Sequence, residues 1–220
     1  MRTAAVTASS ARDNGAMTST PSSGSTSSRR ATTRQKLYEA AVTLIAEQGF
    51  SATTVDEIAE RAGVAKGTVY YNFASKSDLF EELLRHGVGL LTAALRQAGP
   101  EAGLSGLAAL DAMARAGLEF IRTYPSFAQL FVAETWRTNR SWHDTLRLMR
   151  EETVSVVAAV LAEAVAAEEL PDDLDVQLTA SAVFGMVLVV ALDWLAFQPE
   201  RSLDDIHGGL SRLLRARMPG

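Results

Sequence analysis

The chain has 220 residues, no cysteine and a formal charge of -5. That length can bury a sizeable core and most simply divides into one small and one larger domain, while the missing cysteine excludes disulfides and thiol chemistry and leaves three histidines and scattered carboxylates for any metal site. The acidity argues against nucleic acid only until it is divided by region: residues 29–80 carry seven Arg or Lys against six Asp or Glu, a balance of +1, whereas residues 81–220 carry 12 against 19, a balance of -7.

Residues 1–28 are mostly Ser, Thr, Ala and Gly, with too little apolar surface to offset ordering, so a disordered tail is expected up to about residue 32. Met1 to Met17 holds no apolar run of signal-peptide length. Arg29, Arg30, Arg34 and Lys36 then place four cations in eight positions, either an arm that reaches phosphates or a solubilising run. A first helix is predicted over Arg34 to Gln48, with Leu37, Ala41, Leu44 and Ile45 in one stripe and Gly49 at its end. Phe50 follows and is placed to close the core over the next two helices.

Thr54 to Phe73 reads as two short helices and a tight turn. Thr54 with Glu57 forms a capping signature, Ile58, Ala59 and Ala62 keep helical spacing, and Gly63 supplies the residue that tolerates positive φ. The second helix, about Ala65 to Asn72, is too short to stand alone. With Val69 and Phe73 turned inward, Lys66, Thr68, Tyr70 and Tyr71 share its flanks and outer face. A cation in a first helical turn opposes the helix dipole, so Lys66 suggests an anionic partner, although solvent also satisfies an ammonium. A helix of this kind fits the major groove, and the pattern is that of a helix-turn-helix with a recognition helix; the alternative is a packed hairpin with a wet lysine.

Ser75 and Asp78 cap a fourth helix to about Ala98, with Leu79, Leu83, Leu90 and Ala94 in its stripe, which links the DNA-reading unit to the second domain. Beyond it the chain is helical and rich in Ala and Leu. Helices are predicted from Leu104 to Tyr124, through Phe127 to Trp136, from Ser141 to Glu168, from Leu174 to Phe197 and onward from Ser202. Phe120, Tyr124, Phe127, Phe131, Trp136 and Met149 are candidate walls of a small-molecule pocket or ordinary core, and Trp142 with His143 a candidate polar corner or a surface cap. Ala180 to Leu192 is nearly free of polarity but falls below the roughly 18 residues that span a bilayer, so a buried or partner-facing helix is expected, and no membrane. The last two helices, through Val189, Trp194, Leu210, Leu213 and Leu214, offer a self-association surface.

The run Gly49-Phe50, Thr53-Thr54-Val55, Ile58-Ala59, Ala62-Gly63-Val64, Lys66 to Tyr71, Phe73 and Ser75-Lys76 resembles the signature of TetR/AcrR-type transcriptional regulators over about residues 34–80. The resemblance implies an all-α fold: a three-helix domain over 33–80, joined by a connecting helix to an effector-binding and dimerisation bundle over 81–220. It also implies a cytoplasmic, homodimeric repressor released from a palindromic DNA operator by a small molecule, and the apolar candidate walls point to an apolar or aromatic effector. Lys66 and Gly67 are implied as base or phosphate neighbours, Thr68, Tyr70 and Tyr71 as groove and backbone contacts, and Thr53 or Thr54 and Lys76 as phosphate contacts. The chain departs from the common pattern at Ala65, where serine is frequent, and at Asn72, where histidine is frequent; Asn72 is still expected among the DNA contacts, since asparagine donates a hydrogen bond there, but it carries no charge. No cofactor or metal is expected. An architectural DNA-binding protein and an all-helical enzyme are the rival classes, the latter disfavoured because no nucleophile–base spacing, phosphate-cradling glycine run or paired histidines stand in the sequence.

Overall fold

The computed structural model describes residues 23–135 and 143–217, and every regular element in them is helical. The first, α1 (Ser23–Gln48), begins well before Arg34, so residues 23–32 of the expected tail are helical and only 1–22 lie outside the described residues. The physical reason is that extension from a packed helix adds one hydrogen bond per residue fixed, without the cost of nucleation. Thr32 and Thr33 also turn their hydroxyls onto the carbonyls four residues back, at 3.0 and 2.9 Å.

α2 (Val55–Ala62) and α3 (Lys66–Asn72) form the expected hairpin. The Thr54 hydroxyl accepts from the Glu57 amide while the Glu57 carboxylate accepts from the Thr54 amide, and Gly63 ends α2 at φ 66°. Leu37, Ala41, Ile45, Ile58, Val69 and Phe73 are buried together, so α1 supplies the face that the hairpin alone lacks.

α4 (Lys76–Ala98), capped by Ser75, runs from this unit into the bundle made by α5 (Gly106–Thr123), α6 (Pro125–Thr135), α7 (His143–Ala166), α8 (Val176–Phe197) and α9 (Leu203–Arg217). Its buried side is Leu79, Leu83, Leu84, Val88 and Leu95, whereas Leu90, expected in the stripe, is exposed. A turn of 3-10 helix at Pro100–Ala102 reverses the chain between α4 and α5.

α8 spans 22 residues, close to the expected Leu174 to Phe197, and although Asp193 interrupts its apolar run it is long and apolar enough by length and composition alone to cross a bilayer. In the fold it packs on α5 and α7, burying Ala180, Val183, Val187, Ala191 and Trp194 at spacings of three and four residues, and leaves its other face open.

Candidate nucleic-acid interface and effector cavity

Lys66, Gly67, Tyr70 and Tyr71 lie on the exposed side of α3, with Thr68 half-buried beside them. Tyr70 and Tyr71 are 51% and 75% exposed, although both carry large rings that a folded chain otherwise covers. Ile58, Val69 and Phe73 hold the helix from behind. The Lys66 ammonium lies 2.8 Å from the Asp56 carboxylate of α2, and this hydrogen bond and charge raise its pKa. The exposed pair is weak and screened, so a phosphate competes for the same ammonium at little cost. The Arg30 guanidinium, on the early part of α1, lies 5.5 Å from the Tyr71 ring centroid, which brings this one cation of the N-terminal run beside the same face.

Four of the expected DNA contacts also make hydrogen bonds within the fold. Thr53 is 1% exposed and donates its hydroxyl to the Gly49 carbonyl at 2.9 Å, so its side chain is a loop brace. Thr54 is exposed but holds Glu57 in the reciprocal cap, and that backbone hydrogen bond, then the hydroxyl, lowers the Glu57 pKa. Asn72 is buried and donates to the Thr68 carbonyl at 2.8 Å. Lys76 is half-buried and donates to the carbonyls of Phe50 and Thr53, each at 2.8 Å, with its ammonium 4.3 Å from the Phe50 ring centroid. A half-buried ammonium between two carbonyls ties α4 to the loop between α1 and α2.

The second site lies inside the bundle. An apolar cavity of about 60 Å³ is enclosed by α4 to α8, and of the expected walls Phe120, Phe127 and Phe131 line it. Among the described residues Thr153 is the one polar side chain on its wall, and its hydroxyl donates to the Met149 carbonyl at 3.1 Å. Met149 is buried but not on the wall. Tyr124 stacks tilted on Phe120 and opens instead onto a cleft of about 290 Å³ between α1, α4 and the α5–α6 turn, which shares Phe120 and Phe127 with the inner cavity. Trp136 and Trp142 lie outside the described residues; His143 opens α7, but its side chain is not among those described. Helical spacing identified the rings, but only packing decides which reach one void.

The proposed self-association residues also divide. Val189 and Leu213 are 64% and 57% exposed, and Leu178 and Phe197 extend the open apolar face of α8. Trp194, Leu210 and Leu214 turn inward; the Trp194 indole N–H donates to the Arg201 carbonyl at 2.9 Å. An indole buried with its N–H paired is satisfied within its own chain. Asp193, which interrupts the apolar run, is exposed and accepts from Gln198 at 2.8 Å. Among the described residues no group of three or more His, Asp or Glu is placed to hold a metal.

Residues 37–83 match the family model described as bacterial regulatory proteins of the tetR family, and residues 103–215 match a tetracyclin repressor-like C-terminal domain. The repressor KstR2 of Mycolicibacterium smegmatis is 30% identical over 154 residues, 70% of this chain and 75% of that protein. The fatty acid metabolism regulator protein of Bacillus subtilis is 22% identical over 179 residues, 81% of this chain and 92% of that one. Among solved structures, FadR of Bacillus subtilis in complex with stearoyl-CoA superposes with a TM-score of 0.72 at 22% identity, covering 82% of this chain and 96% of its own. The ketosteroid regulator KstR2 of Mycobacterium tuberculosis gives 0.67 at 23% identity, with coverages of 84% and 94%.

Proposed function

The chain belongs to the TetR family of bacterial regulatory proteins, and from that membership we propose that it is a homodimeric repressor released from a palindromic operator by an apolar effector. In this reading residues 33–80 read DNA, and residues 81–220 bind the effector and pair the subunits. The observation that carries the DNA reading is α3 itself, whose core side is fully occupied while Lys66, Gly67, Thr68, Tyr70 and Tyr71 face outward or flank that face. Two copies related by a two-fold axis set two such helices into successive major grooves when they stand roughly 34 to 36 Å apart. The open face of α8, with Leu178, Val189 and Phe197, and the neighbouring Leu213 of α9 are the surface that the second copy covers. With DNA as its target, the protein works in the cytoplasm, and its apolar α8 pairs with protein rather than lipid.

The effector reading rests on the inner cavity. Its lining has one polar side chain, already hydrogen-bonded, so a sugar or phosphate would be stripped of water with nothing to replace it. At about 60 Å³ the cavity is also far below the roughly 300 to 1,000 Å³ of sites that enclose a drug-sized ligand. An effector therefore selects a wider bundle than this one, and it lowers operator affinity by as much as it prefers that wider state. The similar structure with stearoyl-CoA and the ketosteroid regulator name two probe classes, steroids and long acyl-CoA thioesters; of the latter only the acyl chain suits this apolar lining, and the phosphate-bearing CoA head would have to stay in solvent.

The test is a DNase footprint on the upstream region of the gene, titrated with stearoyl-CoA and with a ketosteroid. Protection of a short palindrome, lost with one compound, is expected, and Lys66→Ala or Tyr70→Ala should weaken that protection with the dimer intact. Protection that neither variant reduces refutes the role of α3. Release only by highly polar metabolites refutes the apolar effector.

A further inference from the structure

Arg34 belongs, by sequence, with the basic run at the start of α1, yet it alone of that run turns into the molecule. Its Nη1 donates to the Asn72 carbonyl at 3.2 Å, at the last residue of α3. Its Nη2 donates to the Tyr38 hydroxyl at 3.0 Å and pairs with the Glu82 carboxylate of α4, which also accepts from the Tyr38 hydroxyl at 3.2 Å. The guanidinium carbon lies 4.5 Å from the ring centroid of Phe73, the residue that follows α3 as its C-cap. The side chains of Arg34 and Glu82 are only 25% and 30% exposed.

We propose that Arg34 is a positioning residue for DNA recognition, a clamp that locks the C-terminal end of the recognition helix to Glu82 of the connecting helix, and that it contacts no phosphate. The chemistry favours this end of α3, because a cation stabilises the unsatisfied carbonyls and negative dipole of a helix C-terminus. The fork geometry of guanidinium serves three acceptors at once, which an ammonium on a flexible stem cannot reproduce. α3 spans seven residues and is too short to hold its own orientation, so its angle to the groove depends on what grips its ends. One end follows the Gly63 turn; the clamp holds the other. The same contact makes the position of α4 felt at α3, since Glu82 stands six residues before Val88, the first α4 side chain on the cavity wall.

This inference rests on the DNA-binding reading, and its test separates the two. Operator affinity is measured against salt for the full-length dimer and for Arg34→Gln, Arg34→Lys, Glu82→Gln and Glu81→Gln. If Arg34 is a clamp, Arg34→Gln weakens binding by about tenfold with an unchanged salt slope, whereas loss of one phosphate contact in each subunit lowers the slope by about 1.8, twice the roughly 0.9 of a single contact. Arg34→Lys keeps the charge and does not rescue. Glu82→Gln removes a negative charge near DNA, which by charge alone tightens binding; the clamp demands that it weaken binding several-fold. Glu81→Gln, an equal change at a residue paired only along α4 with Arg85, does not weaken it. A reduced slope, full rescue by lysine or tighter binding by Glu82→Gln overturns the clamp. Amide exchange without DNA supplies a second arm: the Phe73 amide, bonded to the Val69 carbonyl at 2.9 Å, exchanges faster in Arg34→Gln and Glu82→Gln. If the wild-type dimer protects no DNA, the DNA reading falls, and exchange still decides the clamp: unchanged Phe73 protection refutes it.

Discussion

Replacing Lys76 with methionine keeps most of the aliphatic stem and removes the ammonium that bonds the Phe50 and Thr53 carbonyls at 2.8 Å each. Each hydrogen bond from a charged donor contributes about 1.5 to 3 kcal/mol, and the contact with the Phe50 ring at 4.3 Å about 0.5 to 1. Lys76 is only half-buried, and water partly replaces it at the two carbonyls, so the lower ends apply and the sum is about 3.5 kcal/mol at most. For a chain of this size that corresponds to a fall in Tm on the order of 10 °C. Urea unfolding of both proteins at one fixed concentration measures it, since the stability of a dimer depends on concentration. The midpoint should drop with m unchanged. A loss below about 0.5 kcal/mol, the range of an ordinary surface substitution, refutes the tie. The salt slope of operator binding gives a further check: a Lys76 held in the loop leaves it unchanged, whereas a phosphate contact in each subunit removes about 1.8 from it, twice the roughly 0.9 of a single contact.

Three further outcomes follow from packing, titration and assembly. A Cβ at Gly87 of α4 would overlap the Phe127 ring, so Gly87→Ala should cost about 1 to 3 kcal/mol of overpacking against a helix-propensity gain of about 1; a more stable variant in urea unfolding refutes that close approach. The folded Glu57 carboxyl has its pKa lowered from 4.5, so its contribution is present above that value and is lost as pH falls through the lower folded value; the Tm gap between wild type and Glu57→Gln should close on acidification below about pH 4.5, and a gap independent of pH counts against the cap as its source. Val189→Glu with Leu213→Glu should yield monomers in sedimentation velocity at micromolar concentration, while the inward Leu214 is unsuitable for this purpose because its replacement would unfold α9 first. An unchanged dimer excludes that face.

What the sequence shows of this molecule is what is locally determined. The α2–α3 hairpin follows from Thr54, Glu57 and Gly63, whose roles depend on neighbours three to six residues away. The outward set on α3 follows equally from the inward pair Val69 and Phe73. Thr53, Asn72 and Lys76 mislead for one shared reason: each is a polar residue on a DNA-binding segment, and only the fold reveals the carbonyl that it bonds. Arg34 is hidden more deeply, since its partners lie 38 and 48 positions away at Asn72 and Glu82. α8 defeats periodicity because it is apolar nearly all round; inward Trp194 and outward Val189 read alike until the helices that cover one side are placed. The cavity is the least legible feature, being the small volume left by rings whose spacing resembles that of any core.

Those same contacts make α4 the element through which cavity and groove communicate. Its Val88, Leu91 and Leu95 form part of the cavity wall, while Lys76 and Glu82 grip the loop before α2 and, through Arg34, the end of α3. From Lys76 to the middle of that wall is roughly 15 residues, or about 22 Å of helix. A tilt of about 5° at the wall therefore displaces the far end by about 2 Å, in each of two subunits, against a groove spacing of roughly 34 Å. A rigid pair of recognition helices does not absorb such a change without losing contacts on one side of the operator. A soft attachment would absorb it. On the proposed reading, in which an effector widens the apolar cavity, the clamp at Arg34 and the tie at Lys76 would convert that widening into lost DNA affinity, and variants that loosen them should bind operator more weakly while responding less to any effector.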